Sequence, residues 1–242
     1  MNINFKEQTA IVTGATQGIG KSIATMLVEA NCRVIYTGRS EVPTNEIPGA
    51  EYAQLDLCDQ GSIERFINQT IKSTSGITIL VNNAGIQIPS LVESIQLEDW
   101  NKTMAVNLTG PMQLIQAVAP YMKENKYGRI VNVSSVAGII TKTGQSAYSA
   151  TKSGILGLTR TLGLELAQYN ILVNAICPGT TATPMVEELL SKEKKETIIR
   201  SVPMGRLGEP DEMAAYVLFL VSRFNSYMTG QSLIIDGGYV LQ

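Results

Sequence analysis

The sequence predicts an α/β fold, a single domain built on a doubly wound parallel sheet with helices on both faces. Three observations carry that prediction. Short apolar runs alternate with helix-length segments along the chain, the order expected of a parallel sheet. The first run ends in a glycine-rich turn that opens into a helical pattern, the start of a strand–helix–strand unit. Hydrophobic residues make up 44% of the 242 residues and charged residues 17%, which suits strands covered on both faces.

The elements follow in order. Thr9–Thr13 reads as the first strand, and the next segment places Ile19, Ile23, Met26, Leu27 and Ala30 on one helical face. Arg33–Thr37 is the second strand. Further strands are expected at Ile77–Asn82, Ile130–Val133, Leu172–Ile176 and Leu233–Ile235. Helices are expected at Ser62–Lys72, at Leu97–Lys123 with an interruption, at Tyr148–Gln168 and at Pro210–Val221. Gly154, Gly157 and Gly163 lower the propensity of the third of these, so close packing against another backbone must compensate. Pro178–Pro210 reads as irregular, with a charged centre at Ser191–Glu196.

Composition removes several function classes. The net charge of −2 offers no sequence-wide attraction for nucleic acid or anionic membranes. No apolar run reaches the roughly 18 residues of a membrane span, and Met1–Ala10 lacks a signal-peptide pattern, so a cytoplasmic location is expected. Cys32, Cys58 and Cys177 are widely spaced and read as buried small side chains rather than disulfide or zinc residues. There is no histidine, which excludes Ser-His, Cys-His and histidine-ligated metal mechanisms within the chain. No metal ligand set is expected, and acid/base chemistry must use another side chain.

Thr13-Gly14-Ala15-Thr16-Gln17-Gly18-Ile19-Gly20 lies between the first strand and the first helix. Glycine there lets the backbone approach a pyrophosphate, and the helix N-terminus offers it free N–H groups and partial positive charge. A Rossmann-type dinucleotide site is therefore expected. The spacing is T-G-x-x-x-G-I-G, and with it the chain resembles the short-chain dehydrogenase/reductase family. Asn82-Asn83-Ala84-Gly85, Asn107, Ser135 with Tyr148-x-x-x-Lys152, Pro178-Gly179 and the closing Ile235-Asp236-Gly237-Gly238 extend the match over almost the whole chain. Overall it is similar to the 3-oxoacyl-[acyl-carrier-protein] reductases.

The second cluster also supports a chemical argument of its own. Tyr148 and Lys152, four apart, share a helical face and can approach one ligand. A phenol with pKa near 10 is a poor base at pH 7, but a nearby ammonium lowers that value and makes Tyr148 a workable proton donor or acceptor. The alternative is an ordinary exposed helical pair. Ser135 follows a strand, beyond the carboxyl end where ligands bind, and its hydroxyl is placed to hold a substrate oxygen as charge develops. Ser134 is read as structural, because the family serine lies thirteen positions before its tyrosine.

The resemblance implies catalytic roles for Asn107, Ser135, Tyr148 and Lys152, with Lys152 bonding the nicotinamide ribose and Asn107 holding a water that joins Lys152 to solvent. The cofactor-binding set it points to is Gly14, Thr16, Gln17, Gly18, Ile19, Gly20, Arg39, Asp56, Leu57, Asn83, Ala84, Gly85, Tyr148, Lys152, Pro178 and Gly179. Asp56 matches the family acid that follows the third strand and contacts adenine, or it caps the next helix. After the second strand the chain reads Thr37-Gly38-Arg39-Ser40, with no carboxylate to receive a ribose 2′-hydroxyl and an arginine suited to a 2′-phosphate. NADP(H) is favoured over NAD(H); the alternative is a solvated Arg39 with Glu41 as a displaced acid.

The expected activity is carbonyl–alcohol interconversion by hydride transfer. The substrate is a small molecule or an acyl thioester, and a 3-oxoacyl thioester is one candidate. Against a carrier-borne substrate, Ile86–Trp100 has no basic residue and Tyr169 stands where the similar reductases commonly place arginine; Lys126 and Arg129 remain possible carrier contacts. A sugar, polyol or hydroxyacid dehydrogenase is the alternative, and a silent dinucleotide-binding sensor or scaffold is the rival from another class. The cofactor half spans about 1–130 and the catalytic and substrate half about 131–242, with a substrate flap at about 180–206 containing Met185, Val186, Leu189 and Leu190. The resemblance also implies a homodimer or homotetramer.

Overall fold

The computed structural model describes residues 3–74 and 76–241. Seven parallel strands form one sheet in the order β3-β2-β1-β4-β5-β6-β7. They are β1 (Thr9–Val12), β2 (Arg33–Gly38), β3 (Glu51–Gln54), β4 (Ile77–Asn82), β5 (Gly128–Val133), β6 (Ile171–Pro178) and β7 (Ser232–Ile235). The order reverses between β1 and β4, and the crevice beyond the carboxyl ends of the strands at such a point is where ligands bind.

Strand periodicity builds a core on each face. Ala10, Val12, Ile79 and Val81 point to one side, while Ile11 and Leu80 point to the other. The first side is covered by α1 (Gly18–Glu29) and α8 (Pro210–Val221), through Ile23, Leu27, Val217 and Leu220. The second is covered by α2 (Gln60–Phe66), α4 (Gly110–Glu124) and α5 (Ser146–Ala167), through Ile63, Phe66, Leu114, Val118 and Leu166.

Several expectations need correcting. β3 was not visible as an apolar run, because its residues Glu51-Tyr52-Ala53-Gln54 are exposed or half-buried at the sheet edge. The stretch read as irregular after Pro178, with an amphipathic helix as the alternative around Met185–Leu190, folds into α6 (Pro184–Leu189) and α7 (Lys192–Ser201), with Thr183 and Ser191 accepting capping hydrogen bonds from Val186 and Lys194 N–H. The interruption expected within Leu97–Lys123 is present, as a π-helical turn, Ala105–Thr109, between α3 (Leu97–Met104) and α4. Of the α5 glycines, Gly163 packs on the Gly230 backbone, where an added Cβ would lie 2.6 Å from its nitrogen. Gly154 instead faces the Leu108 side chain, and a Cβ at Gly157 would meet only the tip of Arg160. Cys58, expected buried, is exposed.

Candidate active site

A cavity of about 980 Å³ opens where the carboxyl ends of β1, β4, β5 and β6 meet the loops that follow them. At its first end the turn after β1 is held against the turn after β4. Thr13 Oγ1 accepts from the N–H groups of Asn83 and Ala84 at 3.0 and 3.1 Å. Asn83 Nδ2 donates back to the carbonyls of Thr13 and Gly14 at 2.9 and 3.0 Å. Gly14 has φ +60°, and a Cβ there would lie 2.8 Å from Ala84 Cα, so both conformation and space require glycine.

Gly14, Thr16, Gln17, Gly18 and Ile19 line the cavity, as do Asn83, Ala84 and Gly85. Gly20 lies behind them, where a Cβ would come within 2.3 Å of Asn83 Nδ2 and 2.7 Å of the Gly14 carbonyl. Helix α1 begins with no side-chain cap and no acid in its first turn. Its leading N–H groups and partial positive charge therefore fit a dinucleotide pyrophosphate.

Arg39 and Asp56 with Leu57 form the flank beyond β2 and β3. No salt bridge engages Arg39 among the described residues, while Glu41 is exposed and does not line the cavity. The capping alternative for Asp56 fails. Asp59 caps α2 by accepting from Gly61 N–H at 2.9 Å, whereas Asp56 Oδ1 accepts from Cys58 N–H at 2.9 Å. Sequence reasoning missed Lys102, on α3, which lines the cavity and acts electrostatically on Cys58 together with Arg39. No sequence signal marks it, because a lysine on a polar helix face reads as solvated.

At the opposite end Ser135, Tyr148 and Lys152 meet. Lys152 is 4% exposed and its Nζ donates to the Val133 carbonyl at 2.8 Å. Burial pushes its pKa down to about 8. The same Nζ lies 5.5 Å from the centre of the Tyr148 ring. Ser135 Oγ accepts from Ala137 N–H at 3.1 Å, which leaves its own proton to donate into the cavity.

The expected lowering of the Tyr148 pKa is overturned. Burial raises it, with only the Ser135 side chain opposing, because the Lys152 ammonium is turned towards the Val133 carbonyl rather than the phenol oxygen. Ser134 has the structural role expected of it, donating to the Lys152 carbonyl at 2.8 Å.

Asn107 does not line the cavity. Its Nδ2 donates to the Ile86 carbonyl and to Thr151 Oγ1 at 2.9 and 3.1 Å, and its Oδ1 accepts from Ile86 N–H at 2.9 Å. Thr151 Oγ1 in turn donates to the Tyr148 carbonyl at 2.7 Å. The side chain thus braces the turn after β4 against the turn of α5 that carries the tyrosine.

Pro178 and Gly179 close the wall, where a Cβ on Gly179 would lie 2.8 Å from Asp236 Cα. Met185, Val186, Leu189 and Leu190 line the side formed by α6. Arg129, read as a possible carrier contact, is 3% exposed; its guanidinium donates to the carbonyls of Gly128, Asn170 and Asn225, so it offers nothing to a docking partner.

A family model described as enoyl-(acyl carrier protein) reductase matches residues 14–240. The 3-oxoacyl-[acyl-carrier-protein] reductase of Aquifex aeolicus is 40% identical over 98% of this chain and 99% of that protein. The chain belongs to the short-chain dehydrogenase/reductase family. The corresponding reductase of Thermotoga maritima is 39% identical over 99% of this short-chain dehydrogenase/reductase and 100% of its own length.

Among solved structures, a gluconate 5-dehydrogenase from Burkholderia cenocepacia in complex with NADP and tartrate superposes with TM-score 0.92. It is 29% identical and covers 99% of this chain and 97% of its own. A short-chain type dehydrogenase/reductase from Mycobacterium marinum superposes with TM-score 0.91 at 31% identity, covering 99% and 98%. The protein is accordingly an oxidoreductase acting on CH–OH/C=O groups.

Proposed function

We propose that this short-chain dehydrogenase/reductase reduces the ketone of a 3-oxoacyl thioester with NADP(H), Tyr148 donating the proton. The observation that carries the chemistry is the meeting of Ser135, Tyr148 and Lys152 at one end of a cavity whose other end is a dinucleotide cradle. The relatives' activity supports the thioester, and Arg39, which no salt bridge engages among the described residues, supports the 2′-phosphate.

The bound nicotinamide supplies the hydride in reduction and accepts it in oxidation. Tyr148, kept protonated by burial, donates its proton to the carbonyl oxygen, while the Ser135 hydroxyl donates a hydrogen bond to the same oxygen as charge develops. Lys152 binds the ribose and holds a positive charge behind the phenol. Asn107 acts through its brace on Thr151, which holds the turn of α5 that carries Tyr148.

Gluconate 5-dehydrogenase as a solved likeness favours a second reading, a hydroxyacid or sugar-acid dehydrogenase. The protein is assigned as a single-domain, cytoplasmic homodimer or homotetramer. Among the described residues no helix is long and apolar enough to cross a membrane. Leu164 on α5 is 82% exposed and Leu241 87%, apolar surface that subunit contacts would cover; light scattering reads the count.

The test is steady-state NADPH oxidation with acetoacetyl-CoA beside a panel of keto sugars and small ketones. Turnover confined to the keto sugars moves the assignment to the second reading. Tyr148→Phe should lower kcat by at least about a hundredfold; retained turnover removes Tyr148 as the proton donor.

A further inference from the structure

Lys142, which sequence reasoning passed over, lines the same cavity as Ser135 and Tyr148. It lies in the loop between the short helical turn Val136–Gly138 and α5, six residues before Tyr148. Lys142 is exposed, but its loop is anchored on both sides of it. Thr141 Oγ1 hydrogen bonds with Ser149 Oγ on the first turn of α5. On the other side, Ser90 N–H donates to the Gly144 carbonyl at 3.0 Å, and Ser90 pairs with Gln145 as an isolated parallel bridge. The Lys142 backbone is therefore tied to the helix that carries the acid/base tyrosine.

The ammonium also has a seat. Lys142 Nζ lies 4.9 Å from the centre of the Tyr239 ring, within the range of a cation–π contact. Tyr239 is itself placed by Asp236, whose carboxylate accepts from the N–H groups of Gly238 and Val240 at 2.9 and 2.8 Å. That carboxylate is thereby committed to the backbone, and no carboxylate among the described residues pairs with Lys142. Glu193 and Lys194 of α7 also line the cavity and contribute charges of opposite sign. Lys142 is thus a positioned cation of the cavity wall with no ion pair among the described residues.

Resting on the reading of the site as a carbonyl reductase, we propose that Lys142, held on the face of Tyr239, is a specificity-determining residue that binds an anionic oxygen group on the substrate. That group is either the carboxylate of an oxo acid or a phosphate on the arm of a carrier thioester. Ser135 and Tyr148 hold the reacting oxygen, and Lys142 holds the far end.

The experiment compares wild type, Lys142→Met, Lys142→Arg and Tyr239→Leu on three probes. Acetoacetyl-CoA carries phosphates, 5-keto-D-gluconate carries a carboxylate, and the N-acetylcysteamine thioester of acetoacetate carries no charge. Lys142→Met should raise KM for the anionic probe by at least about tenfold, with kcat changed less than about twofold. Lys142→Arg should restore most of the affinity, and Tyr239→Leu should give an intermediate loss. The neutral thioester should be indifferent to all three. Which anionic probe responds identifies the source of the anion.

Thermal shift of the NADP⁺ complex by CoA and by 5-keto-D-gluconate gives the same comparison without turnover. It therefore separates failure of the proposal from failure of the assigned reaction. An equal KM rise on the neutral probe overturns the proposal, as does an anion-induced shift that is absent in wild type or undiminished in Lys142→Met.

Discussion

Lys152 shows how burial sets the working charge of a single residue. Its ammonium is enclosed, has one carbonyl acceptor, and loses protons at about 8 instead of 10.5. Below about pH 8 the side chain is charged in both folded and unfolded protein, and the cost of burying that charge is present in full. Between about 8 and 10.5 the unfolded chain binds the proton and the folded one does not, so stability rises with pH. Wild type should therefore gain on Lys152→Met across that window, by at most on the order of 3 kcal/mol. Urea midpoints of the two proteins from neutral to alkaline pH read the gain, and parallel curves would show that Lys152 titrates as it does in water. Tyr148 moves the opposite way, upward, for the same reason. Reasoning from the four-residue spacing placed these two side chains together but reversed the sign for the phenol, because spacing says nothing about where the ammonium points.

At the scale of elements, legibility followed burial. β1, β2, β4 and the helix α8 are marked by apolar runs and periodicity because both faces of the central strands are covered. β3 is an edge strand paired only to β2, so its sequence carries no apolar signature, and α6 and α7 bury no residue fully. The glycine turn before α1 was legible for a different reason, since contacts at Gly14 and Gly20 exclude any Cβ. Lys142 and Lys102 were not legible, because a lysine in a loop or on a polar helix face reads as solvated until its neighbours are known. The end of β2 carries a prediction of its own. Arg39→Asp should raise KM for NADPH by at least about tenfold and lower it for NADH, since a carboxylate repels a 2′-phosphate and accepts from a 2′-hydroxyl. Initial rates with both cofactors decide it, and unchanged preference would leave Lys102 as the cation that reads the phosphate.

At the scale of the whole molecule, the sheet separates a chemical edge from a structural one. The carboxyl ends of the strands carry the cavity, whereas Arg129 sits where β5 begins, at the opposite edge. There it joins three separated pieces of chain: its Nη1 donates to the Gly128 and Asn170 carbonyls at 2.8 and 3.0 Å, and its Nη2 to the Asn225 carbonyl at 3.4 Å. Its guanidinium also lies 4.4 Å from the centre of the Tyr127 ring. No carboxylate among the described residues pairs with it, so its value is the planar fork that reaches several carbonyls at once, which a lysine lacks. Arg129→Lys keeps a buried cation and gives up that fork, so it should destabilise the protein by about 2 kcal/mol, a fall in Tm of roughly 4–8 °C. Because the loss falls on the edge away from Ser135, Tyr148 and Lys152, kcat of the folded fraction should change less than about twofold. Thermal melts beside active-site-normalised rates check both halves. A collapse of kcat at unchanged Tm would mean that the two edges are coupled through β5, and the separation of chemistry from scaffold would fail.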